Sequence, residues 1–140
     1  MSSDSADFEL LSKELLVHRI VQPHHNLVDG GRVSSACLCP TAKDQQMLSV
    51  DRADMSTPRE SYETFVGLGF EAVAVLSMPN SICHEHDVPA RWDPVDGNEA
   101  HSFLDYRKCT KSGMRKTAKK LFKAVFPNQV DWSYHPSDEK

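Results

Sequence analysis

The chain has 140 residues, 39% hydrophobic and 26% charged, a length that holds one ordinary domain and leaves no room for two. Sixteen Lys and Arg against twenty Asp and Glu give a net charge of −4, which excludes a globally basic nucleic-acid binder. Folding at this length buries about two-thirds of the extended chain's surface, enough for a core that needs neither disulfides nor metal.

Met1 to Asp7 is polar and acidic, without the basic and apolar regions of a secretory signal, so a cytoplasmic location is expected. The longest apolar run, near Phe70 to Met78, is strand-sized, so no membrane contact is expected. From Asp7 to Leu16, the apolar residues Phe8, Leu11, Leu15 and Leu16 fall on one helical face with Ser5 as cap, which predicts a short first helix. The alternation over 17 to 22 predicts a strand stopped by Pro23, and 23 to 32 reads as a turn-rich loop. Alternation over 33 to 39, closed by Pro40, and a short strand over 47 to 51 predict a hairpin between the two.

Thr57-Pro58-Arg59-Glu60 carries a capping residue, a proline at the first helical position and a capping-box glutamate. It opens a helix over 57 to 66 that stops at Gly67 and Gly69. Residues 70 to 77 carry few charges and predict a central strand. Residues 79 to 86 read as a short helix or turn, 88 to 94 as a brief extended piece, 96 to 98 as a turn and 99 to 106 as a strand. A last helix over 113 to 126 places Met114, Ala118, Leu121, Phe122 and Val125 on one face and ends at Pro127. The sum is one α+β domain over 1 to 130, with a mixed or antiparallel sheet of five short strands, packed helices, and a tail over 131 to 140 that docks through its aromatics and frays at its end. Its expected core holds Leu15, Ile20, Val33, Leu48, Phe65, Val73, Val75, Phe103, Leu121 and Phe122.

Between Arg107 and Lys123 lie eight of the sixteen basic residues and no acidic one. Arg115, Lys116, Lys119, Lys120 and Lys123 avoid the apolar stripe of the last helix, and their cationic face suits an acidic protein or nucleic acid, although the plainer reading is a solvated face. Cys37 and Cys39 with Cys83, His84 and His86 lack the spacing of a zinc site, so no metal is expected and the thiols are expected to stay reduced. His24 and His25 read as loop residues rather than ligands. Ser34, Ser35, Cys37 and Cys83 have histidines elsewhere in the chain. The hydrolase elbow, the phosphate-binding loop and the metalloprotease helix are nevertheless all absent, and no catalytic triad is expected.

Asp29-Gly30-Gly31-Arg32-Val33-Ser34-Ser35-Ala36 delivers an arginine and two hydroxyls onto a strand after a glycine pair, where backbone amides could approach a ligand. Together with Leu48-Ser49-Val50-Asp51-Arg52 and Thr57 to Ser61, it resembles small uncharacterised bacterial proteins over residues 17 to 66. That resemblance implies no catalytic assignment. The same region is distantly similar to ADP-ribosyltransferase-type domains, where a first-strand His or Arg, a second-strand Ser or Tyr and a later Glu surround NAD. The similarity implies those places for His18 or Arg19, Ser34 or Ser35, and Glu60 or Glu63, although Glu60 is already accounted for by the capping box. Two functions therefore compete. The first is a non-enzymatic binding or interaction module needing no cofactor. The second is a nucleotide- or NAD-using enzyme drawing on Arg19, Arg32, Ser34, Ser35 and Arg52.

Overall fold

A computed structural model describes residues 8–23, 27–28, 32–41, 45–128 and 130–139. The chain builds β1 (Leu16–Val21), β2 (Leu27–Val28), β3 (Arg32–Val33), β4 (Met47–Arg52), α1 (Pro58–Gly67), β5 (Ala74–Pro79), α2 (Asn80–Glu85), β6 (Ala90–Trp92), β7 (His101–Asp105) and α3 (Lys111–Val125). The main sheet is antiparallel with strand order β5-β1-β4-β7-β6, and β2 and β3 form a separate small pair, an α+β arrangement.

Alternation along the strands divides the core between the two faces. Val17 and Val21 of β1, Leu76 and Met78 of β5, Leu48 and Val50 of β4 and Leu104 of β7 pack with Met114, Ala118 and Leu121 of α3. The opposite face of β1 and β5 sends Ile20 and Val75 against Tyr62 and Phe65 of α1 and against Tyr134. The capping box of α1 forms as the sequence indicates: Glu60 N–H donates to the Thr57 hydroxyl at 3.1 Å, and Thr57 N–H donates to the Glu60 carboxylate at 2.9 Å. Helix α3 starts two residues earlier than expected because Thr110 accepts from Gly113 N–H at 2.9 Å and caps it.

Several expectations are corrected. No helix forms over 8–15. Leu11 N–H donates to Ala90 O, and Trp92 N–H donates to Glu9 O, so this stretch lies along the outer edge of β6. A helix this short is marginal by itself, and pairing with an open strand edge outcompetes it. Residues 35–38 form a 3-10 turn instead of continuing a strand, because the Ser34 hydroxyl accepts from Ala36 N–H at 3.2 Å while Cys37 and Leu38 bury. The expected hairpin is therefore absent, and β4 pairs with β1 and β7.

The strand expected at the centre of the sheet, over 70 to 77, starts only at Ala74 and lies at the edge. Its low charge is explained by cover on its open side: Val75 N–H donates to Tyr134 O at 2.9 Å, and Ser133 N–H donates to Val75 O at 2.8 Å. Leu15, Val33, Phe65, Val73 and Phe122 are only half-buried, while Ile20, Leu48, Val75, Phe103 and Leu121 are core. Among the described residues no helix is long and apolar enough to cross a membrane, and all four cysteines are free thiols.

Candidate functional site

Helix α1 covers the β5–β1 side of its face of the sheet, so the polar residues of β4 and β7 on that face are left open beside it. The alternation Leu48-Ser49-Val50-Asp51 turns Ser49 and Asp51 away from the α3 core. The register Asp51↔His101 puts His101 next to them. These three, with His18 and Ile20, floor a cleft of 460 Å³, within the size range of small-molecule sites. One wall is Ser61 and Phe65 of α1 with Leu68 and Phe70 beyond it, and the Val95–Asn98 turn forms another. At the mouth Leu68, Phe70 and Val95 are 50%, 54% and 42% exposed.

The cleft also reaches between two strands of the sheet. Strands β1 and β4 pair at only two positions, Val17↔Arg52 and His18↔Asp51. Beyond them the Arg19 side chain bridges the separation, with Nε donating to Cys37 O at 2.7 Å and Nη1 to Ser49 O at 3.0 Å. A guanidinium there supplies a donor to the Ser49 carbonyl, which a continuous β1–β4 ladder would have paired, and ties it to the 3-10 turn at Cys37. Arg19, Gln22, Cys39 and Thr41 consequently join the lining.

The Val95–Asn98 turn is tied to the floor. Asn98 Nδ2 donates to Asp51 Oδ1 at 2.8 Å, and Val95 and Asn98 exchange two backbone hydrogen bonds at 3.1 and 3.0 Å. Gly97 sits at φ +86° in this turn, a conformation that selects glycine, and a Cβ there would lie 3.3 Å from Leu68 Cδ2.

Both floor histidines have tautomers dictated by carbonyl partners, since a carbonyl oxygen only accepts. His18 Nε2 lies 2.9 Å from Ser56 O and therefore carries the hydrogen, which leaves Nδ1 to accept from the Ser77 hydroxyl at 2.6 Å. Burial pushes the His18 pKa below its ordinary value, against the raising effects of the Ser56 carbonyl and Asp51, so the ring is neutral. His101 Nδ1 lies 2.8 Å from Asp93 O and 3.5 Å from Asp93 Oδ2, so it carries the hydrogen, and Nε2 accepts from Ser49 Oγ at 3.2 Å. Asp93 N–H in turn donates to His101 O at 2.9 Å. Ser49 Oγ, the His101 ring and the Asp93 main-chain carbonyl thus come into line, with the Asp93 carboxylate 3.5 Å from Nδ1, although the chain lacks a local signature of such a set.

Of the five residues expected to bind a ligand, Arg19 lines the cleft, and the described side chains Ser34, Ser35 and Arg52 do not. Ser34 caps the 3-10 turn that contains Ser35. Arg52 pairs with Asp54 at 2.7 Å and lies 5.1 Å above the Trp92 ring. The Arg32 side chain, Gly30-Gly31, His24 and His25 lie outside the described residues. For the ADP-ribosyltransferase-like set, His18 and Arg19 are in the cleft, whereas Glu60 closes the capping box and Glu63 accepts from Arg59 at 3.2 Å on the exposed side of α1. Arg115, Lys116, Lys119, Lys120 and Lys123 are all exposed on α3. Among the described residues no three His, Cys, Asp or Glu side chains are grouped to hold a metal.

Sequence reasoning missed Ser49, Asp93, Asn98 and His101 as site residues. The one local signal was the polar alternation of Ser49 and Asp51 on an otherwise apolar strand. No family model matches the chain, and no curated protein or solved structure matches it either.

Proposed function

We propose that the protein binds a small, uncharged organic molecule in the cleft between α1, β4 and the Val95–Asn98 turn. The observation that carries this reading is the gathering of three large exposed apolar side chains, Leu68, Phe70 and Val95, around a polar floor. Scattered exposed apolar residues are ordinary, but a group of them rimming a concave polar site is the composition of a ligand pocket. The exposed Ser49 hydroxyl would take the polar end of the ligand, and the apolar body would lie on Phe65, Leu68, Phe70 and Val95.

The charge balance of the lining favours a neutral ligand over a dinucleotide. Among the described residues Arg19 is the one permanent cation in the lining and Asp51 the one carboxylate. That guanidinium already donates to two main-chain carbonyls, a weak basis for holding a diphosphate.

A thermal-shift screen of small neutral amides and esters tests the reading, with NAD and inorganic phosphate as charged comparisons. A ligand at a hundred times its dissociation constant adds about 2.7 kcal/mol of stability. The expected result is a shift with neutral compounds that Leu68→Asp and Val95→Asp abolish, since both side chains are exposed and neither change disturbs the core. No shift with any neutral compound, or one that survives both substitutions, overturns it.

A second reading rests on α3. Its Met114, Ala118 and Leu121 are buried while Arg115, Lys116, Lys119, Lys120 and Lys123 face solvent, so one helix face carries five cations and no anion. Such a face suits a polyanionic partner. Lys116→Glu, Lys119→Glu and Lys123→Glu together should abolish binding to duplex DNA, RNA or an acidic protein without altering the fold. Wild-type binding to DNA should weaken with salt, with a slope of about −0.9 in log affinity per phosphate neutralised. A wild type that binds neither nucleic acid at low salt, and a triple variant that retains every protein partner, together dispose of this reading.

A further inference from the structure

We propose that Ser49, His101 and Asp93 make the cleft a site of acyl transfer, in which a small neutral carboxylic ester is hydrolysed through an acyl-serine. This rests on the reading of the cleft as a small-molecule site. The Ser49 and His101 side chains stand as nucleophile and base, and Asp93 orients the base through its main-chain carbonyl with its carboxylate close by. Ser49 Oγ is 3.2 Å from His101 Nε2, the unprotonated nitrogen. The opposite nitrogen is fixed as the donor by Asp93 O at 2.8 Å, with the Asp93 carboxylate at 3.5 Å.

The arrangement depends on sheet register. Ser49 is paired with Phe103 and His101 with Asp51, so Ser49 and His101 are diagonal neighbours on one face, within side-chain reach. Ser49 is exposed and lines the cleft, so the hydroxyl is accessible to a ligand there.

The molecule offers an internal contrast. Ser77 Oγ also hydrogen-bonds an imidazole, His18 Nδ1, at 2.6 Å. The second nitrogen of His18 meets only a main-chain carbonyl, however, and Ser77 is not part of the cleft lining. The buried His18 ring is poorly suited to accept a proton even with the Asp51 charge near it, whereas the Asp93 carboxylate, 3.5 Å from Nδ1, stabilises the imidazolium that forms on half-buried His101.

The step balances without a further reagent. Ser49 Oγ attacks the ester carbonyl carbon as its proton passes to His101 Nε2, forming a new C–O bond. The tetrahedral intermediate collapses with cleavage of the bond to the alcohol oxygen, which leaves with the proton from His101. Water then attacks the acyl-serine by the same route, releases the carboxylic acid and restores the Ser49 hydroxyl.

The test uses the full chain with a fluorophosphonate and with p-nitrophenyl butyrate. Peptide mass spectrometry should find the phosphonyl group on Ser49. Ser49→Ala should remove labelling, and His101→Ala should slow both reactions by about a hundredfold or more, the scale of a general base's contribution. Asp93 is a positioning residue. Asp93→Asn keeps its main-chain carbonyl but removes the charge, and should lower kcat for the ester with KM unchanged, a split that a merely structural carboxylate would not give.

Butyramide, which can bind but is not cleaved, separates this inference from the reading beneath it. If butyramide perturbs the NMR signals of cleft residues and Ser49 is not labelled, the acyl-transfer inference alone is overturned. If butyramide leaves those signals unmoved and Ser49 is not labelled, both are. Labelling at Ser77 instead, or hydrolysis retained in Ser49→Ala, also overturns it.

Discussion

Asp105, at the end of β7, is the most heavily engaged carboxylate described. Its Oδ1 accepts from Arg107 N–H at 3.0 Å and from Arg107 Nε at 2.8 Å, while Oδ2 accepts from Arg91 Nε at 2.9 Å and Arg107 Nη2 at 3.0 Å. Burial opposes ionisation of a side chain only 8% exposed, but the hydrogen bonds from Arg107 and Arg91 outweigh it and bring the pKa from 3.8 down to about 2. A carboxyl that binds its proton more weakly when folded stabilises the fold above its unfolded pKa, and that stability is lost as the pH falls through the folded one. The difference between 3.8 and about 2 corresponds to about 2 kcal/mol at neutral pH. Asp105→Asn should remove that amount and also loosen what the two arginines hold. Arg91 Nη1 donates to Phe8 O at 3.3 Å, and Arg107 lies 5.7 and 5.4 Å from the Phe8 and Phe103 ring centroids.

Urea denaturation of both proteins across a pH series measures the effect. With a slope of about 2 kcal/mol/M, the midpoint of Asp105→Asn should fall by about 1 M at neutral pH, and the gap should close between about pH 4 and pH 2. A gap that stays constant through that window would refute the reasoning, because its closure is the signature of the protonated wild-type carboxyl. A midpoint change below about 0.2 M at neutral pH would mean that the arginines repair the loss.

Three further outcomes are expected. Leu121→Ala, at a fully buried position of α3, should cost about 2 to 5 kcal/mol in denaturant melts, and half-buried Phe122→Ala should cost less than the 3 to 5 kcal/mol typical of a fully buried phenylalanine. The reverse order would mean that α3 is rotated. Burial pushes the thiols of Cys37 and Cys83 up to about 12, so a disulfide reagent at mildly alkaline pH should modify half-buried Cys39 and Cys109 first; fast reaction of Cys37 in the folded protein contradicts this. The fold also holds His18 below its ordinary 6.5, so its contribution to stability is complete above that value and declines as the pH falls beneath it. An NMR titration of His18 with a midpoint at or above 6.5 would show the ring to be more solvated than its 4% exposure implies.

Much of the local structure was legible because its causes are local. Thr57, Pro58 and Glu60 satisfy the first turn of α1 from within four residues, and the stripe Met114, Ala118, Leu121 identifies the inward side of α3 without reference to what it meets. The strand alternations of β1, β4 and β7 were visible within one or two residues of their ends, which was enough for an α+β domain with a mixed or antiparallel sheet but not for choosing between the two. Partners were not legible, since a strand's composition records that it is covered and not by what. The apolar run around Val75 read as a central strand because the tail at Ser133 and Tyr134 closes its outer edge, and the stretch before β1 read as a helix because nothing local announces the open edge of β6 that it joins.

The site followed the same division. Asp93 and His101 are eight residues apart in the chain, but Ser49 is fifty-two residues from His101 and meets it only through the pairing of β4 with β7. Periodicity assigned each of these side chains at most to a face of its own strand. Which faces lie together is set by the competition among strands for hydrogen-bonding partners, a property of the whole chain and of no segment within it.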